Sequence, residues 1–145
     1  MKAIVLAAGE GTRMRPLTYT KPKVMLPIAN KPILEHLIVE LRKAGIKDII
    51  LVVGYKDEVI RNHFKDGSDW DVNITYESQK IQRGTADALK SAMHLIDDEF
   101  IVLNGDNIIS YEDIKKIAKT DSFAIGVKEV ENPQDLLKLL QMIRE

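Results

Sequence analysis

Apolar residues fall along this chain in two alternating rhythms. Residues 2 to 8, all apolar after Lys2, form a run that ends at Gly9, and residues 48 to 53, all apolar after Asp48, form another before Gly54. Unbroken runs of this length suit strands buried on both faces. Between them Ile33, Leu34, Leu37, Ile38, Leu41 and Ala44 share one stripe, and Gly45 stops it, which predicts a helix over 33–44. A short amphipathic helix is expected over 56–65, with Val59, Ile60 and Phe64 inward. Val72, Ile74 and Tyr76 alternate with polar neighbours, so their strand belongs near a sheet edge. Residues 85–96 read as a helix with Ala88, Leu89, Ala92, Met93 and Ile96 facing in, and 100–103 as another central strand. The run Ser110-Tyr111-Glu112-Asp113 resembles a cap for a helix through Ala118, and 123–127 reads as a fifth strand.

Alternation of this kind predicts a three-layer α/β/α fold around a mostly parallel, Rossmann-like sheet. Right-handed crossovers then gather the loops after the strands on one rim, where ligands of such folds sit. The longest segment without a periodic pattern is 9–31, well beyond the usual ~2–6 residues of such connections. It is rich in Gly, Pro, Thr, Lys and Arg, and a loop of that length and make-up is a candidate for function. No repeat, low-complexity segment or linker interrupts the chain.

Composition removes several alternatives. With 145 residues, 45% of them hydrophobic, the chain suits one globular domain. A net charge of -1 argues against a dedicated nucleic-acid binder. The absence of cysteine excludes disulfides, zinc ribbons and thiol nucleophiles, and fits a reducing, cytoplasmic setting. No apolar run approaches the ~18 residues of a membrane span. Lys2 followed by Ala3 to Ala8 could imitate a short signal peptide, but it runs directly into Gly9-Glu10-Gly11-Thr12-Arg13, and a buried first strand is the better reading.

Four segments could carry chemistry. Gly9-Glu10-Gly11-Thr12-Arg13-Met14 follows the first strand. Met14 stands where the dinucleotide fingerprint has its third glycine, and no Gly-Lys-Ser/Thr follows, so neither common phosphate motif is present. Two glycines still allow backbone N–H groups to approach a phosphate, and Arg13 adds a planar cationic fork. A tight turn with a surface arginine explains the segment equally well. In Lys21-Pro22-Lys23 the proline can aim Lys23 at a polyphosphate, although a solvated basic face is the simpler reading of the pair alone. Asn104-Gly105-Asp106 ends the strand at 100–103; Asp106 could hold magnesium on the ligand rim, or the three residues could simply make a turn. Finally, Gln79 and Gly84-Thr85 could receive a nucleobase by amide and backbone, where a loop with a helix cap is otherwise the stronger reading. His36, His63 and His94 lack metal spacing, and Trp70 reads as a loop anchor.

In combination these segments resemble a known family. Leu6-Ala7-Ala8-Gly9-Glu10-Gly11-Thr12-Arg13-Met14-Arg15-Pro16-Leu17-Thr18, followed by Pro22-Lys23, Leu26-Pro27 and Lys31-Pro32-Ile33, is similar to the N-terminal signature of the sugar-1-phosphate nucleotidylyltransferases, which include the glucose-1-phosphate thymidylyltransferases. Gln79, Gly84-Thr85 and Asn104-Gly105-Asp106 follow in the family's order. The resemblance implies transfer of a nucleotidyl group from a nucleoside triphosphate (dTTP or UTP) to a sugar 1-phosphate, with release of pyrophosphate. It implies that Ala8, Gly9, Gly11 and Thr12 cradle the nucleotide, that Arg13 and Lys23 bind phosphates and stabilise the transition state, that Gln79 and Gly84 contact a pyrimidine base, and that Asp106 ligates Mg2+. No protein nucleophile is needed for such a reaction.

The resemblance covers residues 1–133. Beyond Asn132-Pro133 the family continues with Tyr-Gly or Phe-Gly, whereas this sequence runs through Leu136, Leu137, Leu139 and Leu140 to Glu145. An atypical C-terminal helix is expected over 134–145, able to cover a sheet edge or to pair two copies in a homo-oligomer. Family members carry a further half that supplies much of the sugar pocket and a second acidic metal ligand. A truncation, a frameshifted product and a natural short form all fit that ending. The base and the sugar are left open, and a non-catalytic nucleotide-binding fragment or regulatory module is the alternative to an enzyme.

Overall fold

Strand β1 (Lys2–Ala7) is the element around which the rest is arranged. The computed structural model describes residues 1–79, 84–120 and 124–126. After β1 come a two-residue ribbon, β2 (Pro27–Ile28) with β3 (Lys31–Pro32), then α1 (Ile33–Lys43), β4 (Asp48–Val53), α2 (Asp57–Phe64), β5 (Asn73–Ser78), α3 (Thr85–Ala92), β6 (Phe100–Asn104) and α4 (Tyr111–Ala118). The main sheet has the order β5-β4-β1-β6, and every pairing in it is parallel. Leu6 faces Val52 on one side and Asn104 on the other, so the carboxyl ends of β1, β4 and β6 finish level with one another.

The sheet is covered on both faces. Alternate residues Ala3, Val5 and Ala7 of β1 join Leu34, Leu37, Ile38 and Leu41 of α1, Ile60 and Phe64 of α2 and Ile114 of α4. Ile4 and Ala8 point the other way and pack with Ile50, Val52, Ala88 and Ala92. Three layers therefore form as the period-2 and period-3.6 patterns require. Ser110 caps α4, its hydroxyl accepting from the Asp113 backbone N–H at 3.3 Å. Trp70 packs on His63 and Phe64, as a loop anchor should. Among the described residues strand β5 takes an edge, as its alternation suggests.

Several expectations change. The strand at 100–103 is not central among the described residues: β6 lies at the edge beside β1, with Ile101 and Leu103 buried while Val102 is 39% exposed. A run of four apolar residues does not distinguish these cases. The helix expected over 85–96 stops at Ala92 and continues as a 3₁₀ turn, Met93–Leu95. The tighter turn rotates Met93 off the apolar stripe, and it is 41% exposed rather than facing in. Of the strand expected over 123–127, residues 124–126 are described and form no strand, while 123 and 127 lie outside the described residues. The helix expected over 134–145, and any pairing of copies through it, also lies outside them. Among the described residues no helix is long and apolar enough to cross a membrane.

Candidate active site

The chain order sets the position of the site. From β1 the path steps outward to β4 and β5, then crosses back to β6 on the opposite side of β1. Loops leaving β1 and β6 diverge there, and the crevice between them is where open parallel sheets bind ligands. A cleft of about 530 Å³ occupies this place. Ala8, Gly9, Gly11 and Arg13 line it from the loop after β1, Lys23 from the long segment, Gln79 from the end of β5, Gly84 and Thr85 from the start of α3, and Asn104 and Asp106 from the end of β6. The structure thus brings eight of the nine sequence-derived site residues into one cleft. Thr12 is the exception; it starts an exposed 3₁₀ turn, Thr12–Met14, and does not line the cleft.

The long segment is folded rather than loose. Gly11 has φ +66°, and a Cβ there would lie 2.9 Å from Lys23 Cβ and 3.2 Å from Thr18 Cγ2. Only glycine combines that backbone with that approach. The buried Thr18 hydroxyl donates to the Gly11 carbonyl at 2.9 Å. Tyr55, just beyond β4, holds the next part of the segment by donating its hydroxyl to Thr18 O at 3.0 Å. Pro22 leads into a 3₁₀ turn, Lys23–Met25, whose Val24 and Met25 are buried. Those two side chains fix the base of Lys23. On the other side Gly105 donates its N–H to Leu6 O at 2.9 Å, and a Cβ on it would come within 3.1 Å of that oxygen. This close approach delivers Asp106 to the cleft floor.

Charge in the cleft is sorted by pairing. Lys23 Nζ donates to Asp106 Oδ2 at 2.8 Å, with both side chains about one-third exposed. Arg15 pairs with Glu10, which raises the guanidinium pKa above its ordinary value and keeps that charge outside the cleft. Arg13 lines the cleft with no carboxylate partner among the described residues. Gln79 is 8% exposed, and its amide nitrogen donates to Gly84 O at 3.3 Å and to Asp87 Oδ2 at 3.1 Å. The reading from sequence missed Asp87 and Tyr55. The position of Asp87, three residues after Gly84 and in the first turn of α3, was a signal for it; nothing in the sequence singled out Tyr55.

Magnesium would meet hard oxygen ligands here: the Asp106 carboxylate is the one acidic group lining the cleft among the described residues. No cluster of three acidic or histidine side chains occurs among the described residues. An ion at Asp106 would need phosphates and water to complete its shell.

Comparison with known proteins agrees with the fold. Residues 2–135 match the family model described as nucleotidyl transferase. The chain is 41% identical over 140 residues to the low-salt glycan biosynthesis nucleotidyltransferase Agl11 of Haloferax volcanii, covering 92% of this chain and 39% of that protein. It is 46% identical over 110 residues to the UTP–glucose-1-phosphate uridylyltransferase AglF of the same organism, covering 76% of this chain and 45% of the relative. Among solved structures it is similar to one assigned as a glucose-1-phosphate thymidylyltransferase from Bacillus anthracis, with a TM-score of 0.76, 30% identity, and coverage of 82% of this chain and 49% of that one. The chain spans less than half the length of both curated relatives.

Proposed function

This chain belongs to the nucleotidyl transferase family, of the sugar-1-phosphate type, and on that premise we propose that it forms the nucleotide-binding part of an enzyme converting a nucleoside triphosphate and a sugar 1-phosphate into a nucleotide sugar and pyrophosphate. The observation that carries this reading is the convergence of Gly9, Gly11, Arg13, Lys23, Gln79, Gly84 and Asp106 on a single cleft at the point where the strand order reverses. Ala8, Gly9 and Gly11 hold the triphosphate against the backbone, where the two glycines present no side chain, and Thr12, which does not line the cleft, has no part in that cradle. Arg13, without a competing carboxylate among the described residues, and Lys23 take the phosphate charge. Gln79 and Gly84 receive a uracil or thymine base.

In the reaction an oxygen of the sugar phosphate attacks the α-phosphorus in line, the bond from the α-phosphorus to the bridging oxygen breaks, and pyrophosphate leaves. Negative charge grows on the bridging oxygen and on the departing phosphates, so fixed cations placed there lower the barrier. When bound at Asp106, Mg2+ supplies further neutralisation of the phosphates. Asp106, which pairs with Lys23 in this structure, would hold the ion, and Lys23 would then be available to phosphate. Dependence on a nucleoside triphosphate implies a cytoplasmic setting.

The test is pyrophosphate release by the purified 145-residue chain with Mg2+, UTP or dTTP, and a panel of hexose 1-phosphates. Release that depends on the acceptor and is lost in Arg13→Ala supports the reading. Nucleotide binding with no release under any acceptor refutes catalysis by this chain and leaves a nucleotide-binding unit.

A further inference from the structure

The side-chain amide of Gln79 is held in one orientation. Its nitrogen faces two oxygens, the Gly84 carbonyl at 3.3 Å and the Asp87 carboxylate at 3.1 Å. A carbonyl and a carboxylate are both acceptors. Turning the amide over would set its oxygen against both, so the geometry dictates which end of the amide faces α3. Both hydrogens of the nitrogen are then used. The carbonyl oxygen receives no donor from a described residue, and Gln79 lines the cleft.

We propose that Asp87 is a specificity-determining positioning residue, which locks the Gln79 amide so that this side chain presents a nucleobase with its oxygen, a hydrogen-bond acceptor. Asp87 itself does not line the cleft and acts through Gln79. An acceptor at that place selects a base whose pairing edge carries a ring N–H donor, as uracil and thymine do. Cytosine carries a lone pair at the same ring position and meets oxygen against nitrogen. The inference rests on the reading of this cleft as a nucleotide site, and it assigns the choice between pyrimidines to a carboxylate outside the cleft wall.

Asp87 also sits in the first turn of α3, where an acidic side chain favours the helix through its dipole. The two roles separate experimentally. UTP and CTP differ only on the base, so triphosphate and ribose contacts cancel in the ratio of their dissociation constants. That ratio is measured by calorimetry for the full 145-residue chain, for Asp87→Ala and for Asp87→Asn, with thermal melts of all three. The wild type is expected to prefer UTP, and Asp87→Ala to reduce the preference by about tenfold, the worth of one oriented hydrogen bond. Asn can present either oxygen or NH2 to Gln79, so Asp87→Asn falls between the two, and it remains informative if the alanine variant does not fold. Melting temperatures lowered equally in both variants, with an unchanged UTP-to-CTP ratio, leave Asp87 a helix-end charge and overturn the inference alone. A wild-type chain that binds neither uridine nor thymidine nucleotides overturns the reading of the site, and the inference with it.

Discussion

Replacing Gly11 with alanine tests whether the long segment is held by backbone geometry, and two other glycines supply the controls. Gly11 has φ +66° and a crowded neighbourhood; Gly45, after α1, has φ +89° and nothing within 4 Å of a built Cβ; Gly9 has neither the positive φ nor the crowding. Left-handed backbone costs a non-glycine residue about 1–2 kcal/mol, which sets the expectation for Gly45→Ala. Gly11→Ala incurs that cost and must also relieve the 2.9 Å approach to Lys23 Cβ. The shift stretches the buried bond from Thr18 to Gly11 O, worth about 1 kcal/mol. The expected total is about 2–3 kcal/mol, a fall in urea midpoint of roughly 1 M at the ~1–3 kcal/mol/M slope of small domains. Gly9→Ala stays within about 0.5 kcal/mol of wild type in stability, as a change outside core, cap and strained backbone should. Because the displaced atom is the Cβ of Lys23, Gly11→Ala also weakens triphosphate binding, and Gly45→Ala does not. Equal stability losses for Gly11→Ala and Gly45→Ala would refute the contact argument.

Three further outcomes follow from other parts of the molecule. Phe64→Ala empties a fully buried position between α2 and the sheet and should cost about 3–5 kcal/mol in urea unfolding; a loss under 1 kcal/mol would mean that the site collapses. Burial pushes the Glu35 pKa up, but hydrogen bonds from Lys31 and His63 outweigh it and hold the carboxyl below its ordinary value. A lowered folded-state pKa contributes stability that is present above the unfolded value of about 4.3 and is lost as pH falls through the folded value; Glu35→Gln should therefore flatten the acid limb of stability against pH, and identical limbs would contradict the assignment. Asp106→Asn should abolish the magnesium dependence of triphosphate binding and, without magnesium, tighten binding several-fold by freeing Lys23; a magnesium titration like that of the wild type would remove Asp106 from the metal site.

Patterns tied to local geometry were legible in the sequence. The buried runs of β1 and β4, the stripe of α1 and the cap at Ser110 needed only periodicity and one hydroxyl. Strand order did not follow from such signals, because a run like Phe100 to Leu103 suits a strand at any position in a sheet with a buried side. Met93 was misplaced for a rotational reason, the switch from α to 3₁₀ at Ala92. The site residues were found because they lie at strand ends and in glycine-rich turns. Asp87 and Tyr55 escaped notice because they act through contacts across separate elements: Asp87 on Gln79 and Tyr55 on Thr18.

The two faces of the sheet are unequally provided. Among the described residues, 19 buried side chains share one face with α1, α2 and α4, while six, three of them alanine, join α3 to the other. Local opening takes least free energy where the buried apolar contact is smallest. On the described residues alone, the cleft has one stiff wall and one soft one: Lys23 stands on turns rooted in the larger cluster, and Gly84 and Thr85 ride on α3. A ligand spanning both would act as a brace, slowing amide exchange in α3 far more than in α1, and the soft wall would set how fast the ligand enters and leaves.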